Sequence, residues 1–306
     1  MPSNSPPRTR LRAQKQISVI DLTSSSPPAK PTSAPVPPTP LPRNSADAIQ
    51  PLPARLTTSH TQLSPASHHL LLHKRSHLQK YSVPVPRDFR KHSPSTVSST
   101  LVFAQEQAGT AVCVSSSGLL LTCAHCVSDE NDEQPSPESL YWLLFASGRT
   151  VATRCVAWDA RRDLALLRVV AAQQPRGGDA AGEGFPCVEV AETGPAVGDG
   201  LVCVGHPGSE DLEVEDAGVE TGYDVLHLST GLFRGYAEGQ DLQDNSEIGA
   251  LQHDCWTYWG HSGAPLFDRR SGKLVGLHSS WDDETAMRRG VAWEAIVAFM
   301  DEHRGV

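Results

Sequence analysis

The chain of 306 residues has no apolar run that approaches membrane-spanning length. No apolar stretch follows the opening Met1-Pro2-Ser3-Asn4 that could form the core of a secretory leader. An intracellular protein, nuclear or cytoplasmic and not secreted, is therefore expected. Acidic residues are scarce at the start: the first hundred positions carry 13 Lys+Arg against 3 Asp+Glu. The balance then reverses, with 13 Lys+Arg against 32 Asp+Glu after residue 100. Aromatic residues are also few in the first hundred, which hold 17 of the 24 prolines. Such a stretch buries too little apolar surface to offset its ordering entropy. Residues 1–97 are accordingly expected to be a disordered basic tail, and 98–306 to form the folded part. Cysteine is absent before residue 113, and the total is an odd seven. Without a leader these read as reduced thiols rather than a disulfide framework.

After residue 100 the pattern becomes short apolar runs broken by Gly, Pro and Asp. Leu101–Gln105, Thr110–Ser115, Leu119–Cys123, Tyr141–Ala146, Val151–Trp158 and Leu164–Val170 read as strands. A Gly/Ala/Gln-rich stretch from Ala171 to Gly184 reads as a linker. A second set follows: Val188–Ala191, Leu201–Gly205, Val225–Thr230, Leu251–Trp256, Pro265–Asp268 and Leu274–His278. The end, Trp293 to His303, has helical spacing, with Ile296, Val297 and Met300 on one face. Six strands, a linker, six strands and a helix predict an all-β fold of two antiparallel barrels, about 98–171 and 185–306.

Three stretches carry candidate chemistry. "LLLTCAHCV" ends a strand at His125, "RRDLALLRV" opens one at Asp163, and "TYWGHSGAPLFD" sets Ser262 between Gly260 and Gly263. Singly, each is ordinary: a polar strand cap, a turn aspartate, a glycine turn. Together they supply what a serine nucleophile needs. A hydroxyl needs a histidine to take its proton, and the histidine needs a carboxylate to hold its tautomer.

With "DLALLRV", "VGDGLVCVGHPG", "HLSTGLFRGY", "LQHDCWTYWGHSGAPLFDRRSGKLVGLHSS" and "GVAWEAI" in order, residues 101–300 resemble the trypsin-like serine proteases. The resemblance is to their HtrA-like and glutamyl-endopeptidase-like members. It implies two six-stranded barrels with the active site in the cleft between them. It also implies His125 as general base, Asp163 as its orienting carboxylate and Ser262 as nucleophile. The N–H groups of Gly260 and Ser262 would form the oxyanion hole, and no cofactor or metal would be needed. The chain departs from secreted trypsins at His261, where their activation switch needs an aspartate. The usual disulfide partner of Cys126 would lie near Ala108, and no cysteine is there. Cys123-Ala124-His125-Cys126 lacks a second ligand pair for zinc. HtrA proteins carry a PDZ domain after the protease; here the residues stop soon after the terminal helix, so substrate choice is expected from the cleft or the tail. The expected pocket residues are Trp256, His278 and Ser279. A histidine at 278 is expected, by the resemblance, to favour Glu, Asp or Gln before the cut.

The tail holds "ISVIDLTSSSPP". Val19, Ile20, Asp21 and Leu22 resemble a SUMO-interacting motif, an apolar segment that adds as a strand to an exposed sheet edge. Ser24–Ser26 could add phosphate charge facing a basic rim. Arg8, Arg10, Arg12 and Lys15 make at most a weak import or nucleic-acid patch. His69, His73 and His77 share a face if helical, and read as an inert or partner-docking segment. Two alternatives stay open beside an endopeptidase: a weakly active protease-fold adaptor that reads SUMO, and an esterase using the same triad.

Overall fold

The computed structural model describes residues 48–104, 109–128, 134–174, 184–211, 214, 216 and 218–306. The motif at Val19–Leu22 lies outside the described residues.

Order begins earlier than composition suggests. Before the first barrel come β1 (Gln50–Leu52), α1 (Thr58–Thr61), α2 (Pro65–Lys80) and α3 (Ser93–Thr96). The start of α2 is well specified: Ser64 caps it by accepting from the Ser67 N–H, and Pro65 occupies its first turn. Its buried face is Leu71, Lys74 and Leu78. The Lys74 ammonium, fully buried, donates to the Phe103 carbonyl at 2.8 Å. Leu56, Leu71, Leu78 and Phe89 all enter the main core, each worth about 1.5–3 kcal/mol of burial. The expectation of disorder up to residue 97 is thus wrong for 48–97. A composition averaged over a hundred residues hides a few well-spaced apolar anchors. Of the three histidines on α2, His69 and His73 are exposed, and His77 Nε2 reaches Asp224 at 3.3 Å.

The first barrel contains β2 (Thr100–Phe103), β3 (Thr110–Ser115), β4 (Leu119–Thr122), β5 (Tyr141–Phe145), β6 (Thr150–Asp159) and β7 (Leu164–Gln173). Strand order is β7-β4-β3-β2-β5-β6, closed by the β6–β7 pairing, and every pair is antiparallel. β1 adds outside, parallel to β7, with Gln50 opposite Ala171. The second barrel is β8 (Gly200–Gly205), β9 (His227–Tyr236), β10 (Leu251–His253), β11 (Pro265–Asp268), β12 (Leu274–Trp281) and β13 (Arg288–Ala292). It closes in the order β10-β13-β12-β11-β8-β9. The helix α4 (Trp293–Glu302) follows. Two closed six-stranded barrels and a C-terminal helix are thus the fold.

Strand alternation explains the layering. On β2, Leu101 and Phe103 fill the first barrel while Val102 faces the larger core, which also takes Val202, Val204 and Phe267 of the second barrel. Three details differ from the sequence reading. Val188–Ala191 is no strand, keeping only a bridge from Val190 to Leu274. The sixth strand of the second barrel is instead β13, and β9 runs six residues beyond Thr230. On α4 the buried face is Ala295, Ile296 and Phe299, with Met300 packed beside them and Val297 only half-buried.

Residues 85–99 strap the barrels together. Asp88 accepts from Arg269 Nε at 2.7 Å, and His92 Nε2 pairs with the Arg270 carbonyl at 2.7 Å. Both partners sit in the β11–β12 turn, so the strap holds the second barrel before the chain enters β2.

Candidate active site

His125 lies in a short 3₁₀ turn, Ala124–Cys126, that ends β4. The Trp158 indole pins that turn by donating to the Ala124 carbonyl at 3.2 Å. Asp163 opens β7 from a left-handed backbone, φ 53°, a conformation that aspartate tolerates better than most residues. Its turn is fixed from outside. Arg162 binds Asp159 and reaches Glu302 on α4 with two bonds of 2.7 and 2.8 Å. The Arg161 carbonyl accepts from the Asn245 N–H at 2.7 Å.

These anchors bring base and carboxylate together. His125 Nδ1–H donates to Asp163 Oδ1 at 2.9 Å and lies 3.0 Å from Oδ2. The His125 backbone N–H adds a contact to Oδ1 at 3.2 Å. Ser279 completes the carboxylate's shell, its hydroxyl donating to Oδ2 at 2.7 Å. Asp163 is buried at 5% exposure, whereas the His125 side chain keeps 43%. The imidazole is therefore held at Nδ1 while its side chain stays partly open to solvent.

Ser262 occupies the turn before β11. Its hydroxyl donates to the Ser279 carbonyl at 3.2 Å, and among the described residues it makes no hydrogen bond to His125. Ser279 thus links the set, its side chain on Asp163 and its carbonyl on Ser262. Hydrogen bonds at a reactive serine are often loose before substrate arrives.

The serine turn is bolted to the first barrel through Thr110. The Thr110 N–H donates to the Ser262 carbonyl at 2.8 Å, its hydroxyl to the Gly260 carbonyl at 3.3 Å, and the Gly109 N–H to the same Gly260 oxygen at 3.0 Å. Thr110 Oγ1 also accepts from the His206 N–H at 3.0 Å. Glycine is required at 260 by its backbone and its neighbours. Its φ is +104°, and a Cβ there would stand 2.6 Å from the Gly208 nitrogen and 2.7 Å from the His206 carbonyl. Gly263 is equally constrained, since a Cβ would meet the Thr110 carbonyl at 2.1 Å.

The expected pocket residues lie around the serine. His278 and His261 are buried, and their rings meet edge to face at 6.3 Å. His278 Nδ1 pairs with His253 Nε2 at 3.0 Å. His261 Nδ1 stays local, at 3.1 Å from both the nitrogen and the carbonyl of Tyr258. Burial pushes the pKa values of His253 and His261 down to about 3, and burial with neighbouring histidines pushes His278 well below the usual range. All three are neutral at physiological pH. Trp256 packs edge-on against His261 at 5.6 Å and His227 at 4.6 Å, with its ring stacked parallel to that of Tyr258.

His125 behaves oppositely. Burial works against its charged form, but the Cys126 thiol and the Asp163 carboxylate outweigh that and raise its pKa well above the ordinary histidine value. Cys123 Sγ, His125 Nδ1 and an Asp163 oxygen lie within 4.8 Å of one another, the spacing of a possible metal site. The His125–Asp163 bond already occupies two of those three ligands.

Sequence reading missed the clamping roles of Thr110 and Ser279, which no motif announces. It also missed Trp259 and Trp281, both exposed, whose rings meet at 6.4 Å. Their signal was available, since each lies within three residues of Ser262 or Ser279.

A family model described as a trypsin-like peptidase domain matches residues 109–277. Among solved structures, the serine endoprotease from Yersinia pestis is similar in fold, with a TM-score of 0.50 and 17% identity. That match covers 72% of this chain and 67% of the other. No curated protein matches.

Proposed function

From the premise that this chain belongs to the trypsin-like peptidase family, we propose a serine endopeptidase that works through His125, Asp163 and Ser262. The observation that carries the reading is the Asp163 carboxylate, held by His125 and Ser279, with Ser262 hydrogen-bonded to that same Ser279. In the reaction Ser262 Oγ turns to His125 Nε2, gives up its proton there and attacks the scissile carbonyl. The acyl-enzyme forms as the leaving amine takes the proton from His125, and water then repeats the sequence in reverse. Asp163 stabilises the imidazolium and keeps the tautomer. The N–H groups of Gly260 and Ser262 are the donors for the oxyanion, each worth on the order of 10²–10³ in rate.

His278 is the residue proposed to read the side chain before the cut. His253 Nδ1 is buried without a hydrogen bond. An unpaired buried N–H is costlier than an unpaired lone pair, so the proton belongs on His253 Nε2, donating to His278 Nδ1. His278 then carries its own proton on Nε2, a neutral donor suited to the oxygen of a Glu, Asp or Gln side chain.

The test is labelling of the full chain by a fluorophosphonate probe. Ser262 should be labelled in the wild type and not in Ser262→Ala or in denatured protein. Peptide hydrolysis should fall by about 10⁴–10⁶ with the same substitution. An unlabelled native chain would refute an activated serine. It would favour the protease-fold adaptor, the reading that the resting Ser262–Ser279 bond supports. Ester cleavage without peptide cleavage would favour the esterase. A peptide library should show acidic or amide residues before the cut, relaxed by His278→Ala; a flat or basic profile would remove that specificity.

The tail is proposed to bind SUMO or SUMO-modified proteins through Val19, Ile20, Asp21 and Leu22, and so to direct an intracellular enzyme. Changing Val19, Ile20 and Leu22 to Ala should abolish SUMO binding in a titration while peptide cleavage stays intact.

A further inference from the structure

The triad uses the middle of Cys123-Ala124-His125-Cys126 and leaves its two ends unexplained. We propose that Cys123 and Cys126 form a reversible oxidation site whose disulfide withdraws His125 from Asp163. The catalytic consequence rests on the reading of His125 as the base.

The turn itself brings the two residues together. Cys123 precedes the 3₁₀ helix and Cys126 ends it, and the Cys126 N–H donates to the Cys123 carbonyl at 3.2 Å. A turn closed by this kind of bond keeps its end Cα atoms within about 7 Å. A disulfide accepts roughly 4.4–6.8 Å. Both thiols also point at the same piece of the second barrel. Cys123 Sγ donates to the His278 carbonyl at 3.6 Å and Cys126 Sγ to the Ser262 carbonyl at 3.5 Å. The Gly263 N–H, on the same peptide as that Ser262 carbonyl, donates to the His278 carbonyl at 2.8 Å. Cys126 Sγ is thus on the Ser262 carbonyl, and Cys123 Sγ is on the carbonyl to which the adjoining Gly263 N–H donates.

The surroundings divide the labour. Cys126 is half-buried, so it is the thiol of the two that a small oxidant reaches first. Thiolate is the form that reacts with peroxide. Cys123 is fully buried, and burial with the nearby Asp163 carboxylate raises its pKa well above the usual thiol range. It suits the second, resolving role. The oxidant is a peroxide. The Cys126 thiolate attacks one oxygen of hydrogen peroxide, the S–O bond forms, the O–O bond breaks and hydroxide leaves. The Cys123 sulfur then attacks the Cys126 sulfur, the S–S bond forms, and hydroxide leaves with the Cys123 proton as water. Two thiols and one peroxide give one disulfide and two waters. A dithiol reverses it by exchange.

The bridge costs the site its arrangement. It removes both thiols from the Ser262 and His278 carbonyls. It also tightens the turn that carries His125, whose own N–H and Nδ1 hold Asp163.

The test uses the full reduced chain, treated with hydrogen peroxide and mapped by peptide mass. A Cys123–Cys126 link should form. Phosphonate labelling of Ser262 should drop at least tenfold and return with dithiothreitol, and Cys126→Ser should keep its own labelling through peroxide. The rate of His125 modification by diethyl pyrocarbonate should change at least threefold between linked and reduced chains. Separate oxidation of the two cysteines, or a link mapped only to other cysteines such as Cys113–Cys187 or Cys203–Cys255, overturns the proposal. So does a Cys123–Cys126 link with unchanged labelling and an unchanged His125 rate. If Ser262 is unlabelled even when reduced, the peptidase reading fails, and the His125 rate alone decides whether the switch exists.

Discussion

The two barrels are built to one plan and filled differently. The first is filled by one apolar cluster: Leu101, Phe103, Leu120, Phe145, Leu167 and their neighbours pack its interior. The second has a smaller apolar cluster, including Leu201, Phe233, Leu251 and Leu266, and adds the buried imidazoles of His253, His261 and His278. A stiff apolar barrel suits base and carboxylate, whose separation must not vary. The second barrel gives up part of its core to polar groups around Ser262. Under the proposed function, rigidity falls to the first half of the molecule and recognition to the second.

The largest expected effect breaks the first barrel's contribution. Asp163→Asn should leave the fold intact and lower kcat by about 10⁴, because the amide favours the wrong His125 tautomer. Next comes the joint between the halves. Thr110→Val removes a hydroxyl that holds the Gly260 carbonyl and the His206 N–H. It should cost about 1–3 kcal/mol of stability and, by shifting the serine turn, about 10² in kcat. Denaturant titration and steady-state kinetics separate the two.

The pH response sharpens the comparison, because the histidines of the two halves have opposite signs. His253 and His261, with pKa values of about 3, stay neutral in the fold but charge in the unfolded chain below about 6.5. Their stabilising contribution is whole above that pH. It drains as pH falls toward 3, by up to ~1.4 kcal/mol per ring per pH unit. Thermal melts should show the loss, with Trp256 fluorescence in the second barrel changing before the near-UV signal of Trp142 in the first. His125, raised by Cys126 and Asp163, stabilises the fold below about 6.5 and loses that contribution as pH climbs through its higher folded value. Activity runs the other way, since the base must be neutral: kcat/KM should increase with pH past neutrality. A smaller effect is expected from Ser279→Ala, which removes one of three bonds to Asp163 and should lower kcat/KM about five- to tenfold.

What the sequence made legible follows from range. β3 and β11 match their apolar runs to the residue, because alternation is a local signal. His125, Asp163 and Ser262 stood out because strand ends and glycine turns surround them. β13 was hidden, since it begins Arg288-Arg289-Gly290 and owes its strand form to pairing with β10 and β12. α2 was hidden for the opposite reason. Its local signals, Ser64-Pro65 and the Leu71–Leu78 spacing, were outvoted by the composition around them. The Thr110 hydroxyl and the Ser279 hydroxyl act through partners 96 to 150 residues distant, which no window along the chain contains.

The bond between Arg162 and Glu302 spans 140 residues. During synthesis the Asp163 turn therefore lacks its outer brace until the whole second barrel and α4 have been made. At ribosomal rates of about 5–20 residues per second, that interval is roughly 7–28 s. Ser262 itself is also translated a hundred residues after the carboxylate it depends on. Under the proposed function, the emerging chain would have no completed site with which to cut its unfolded neighbours until Glu302 has been made.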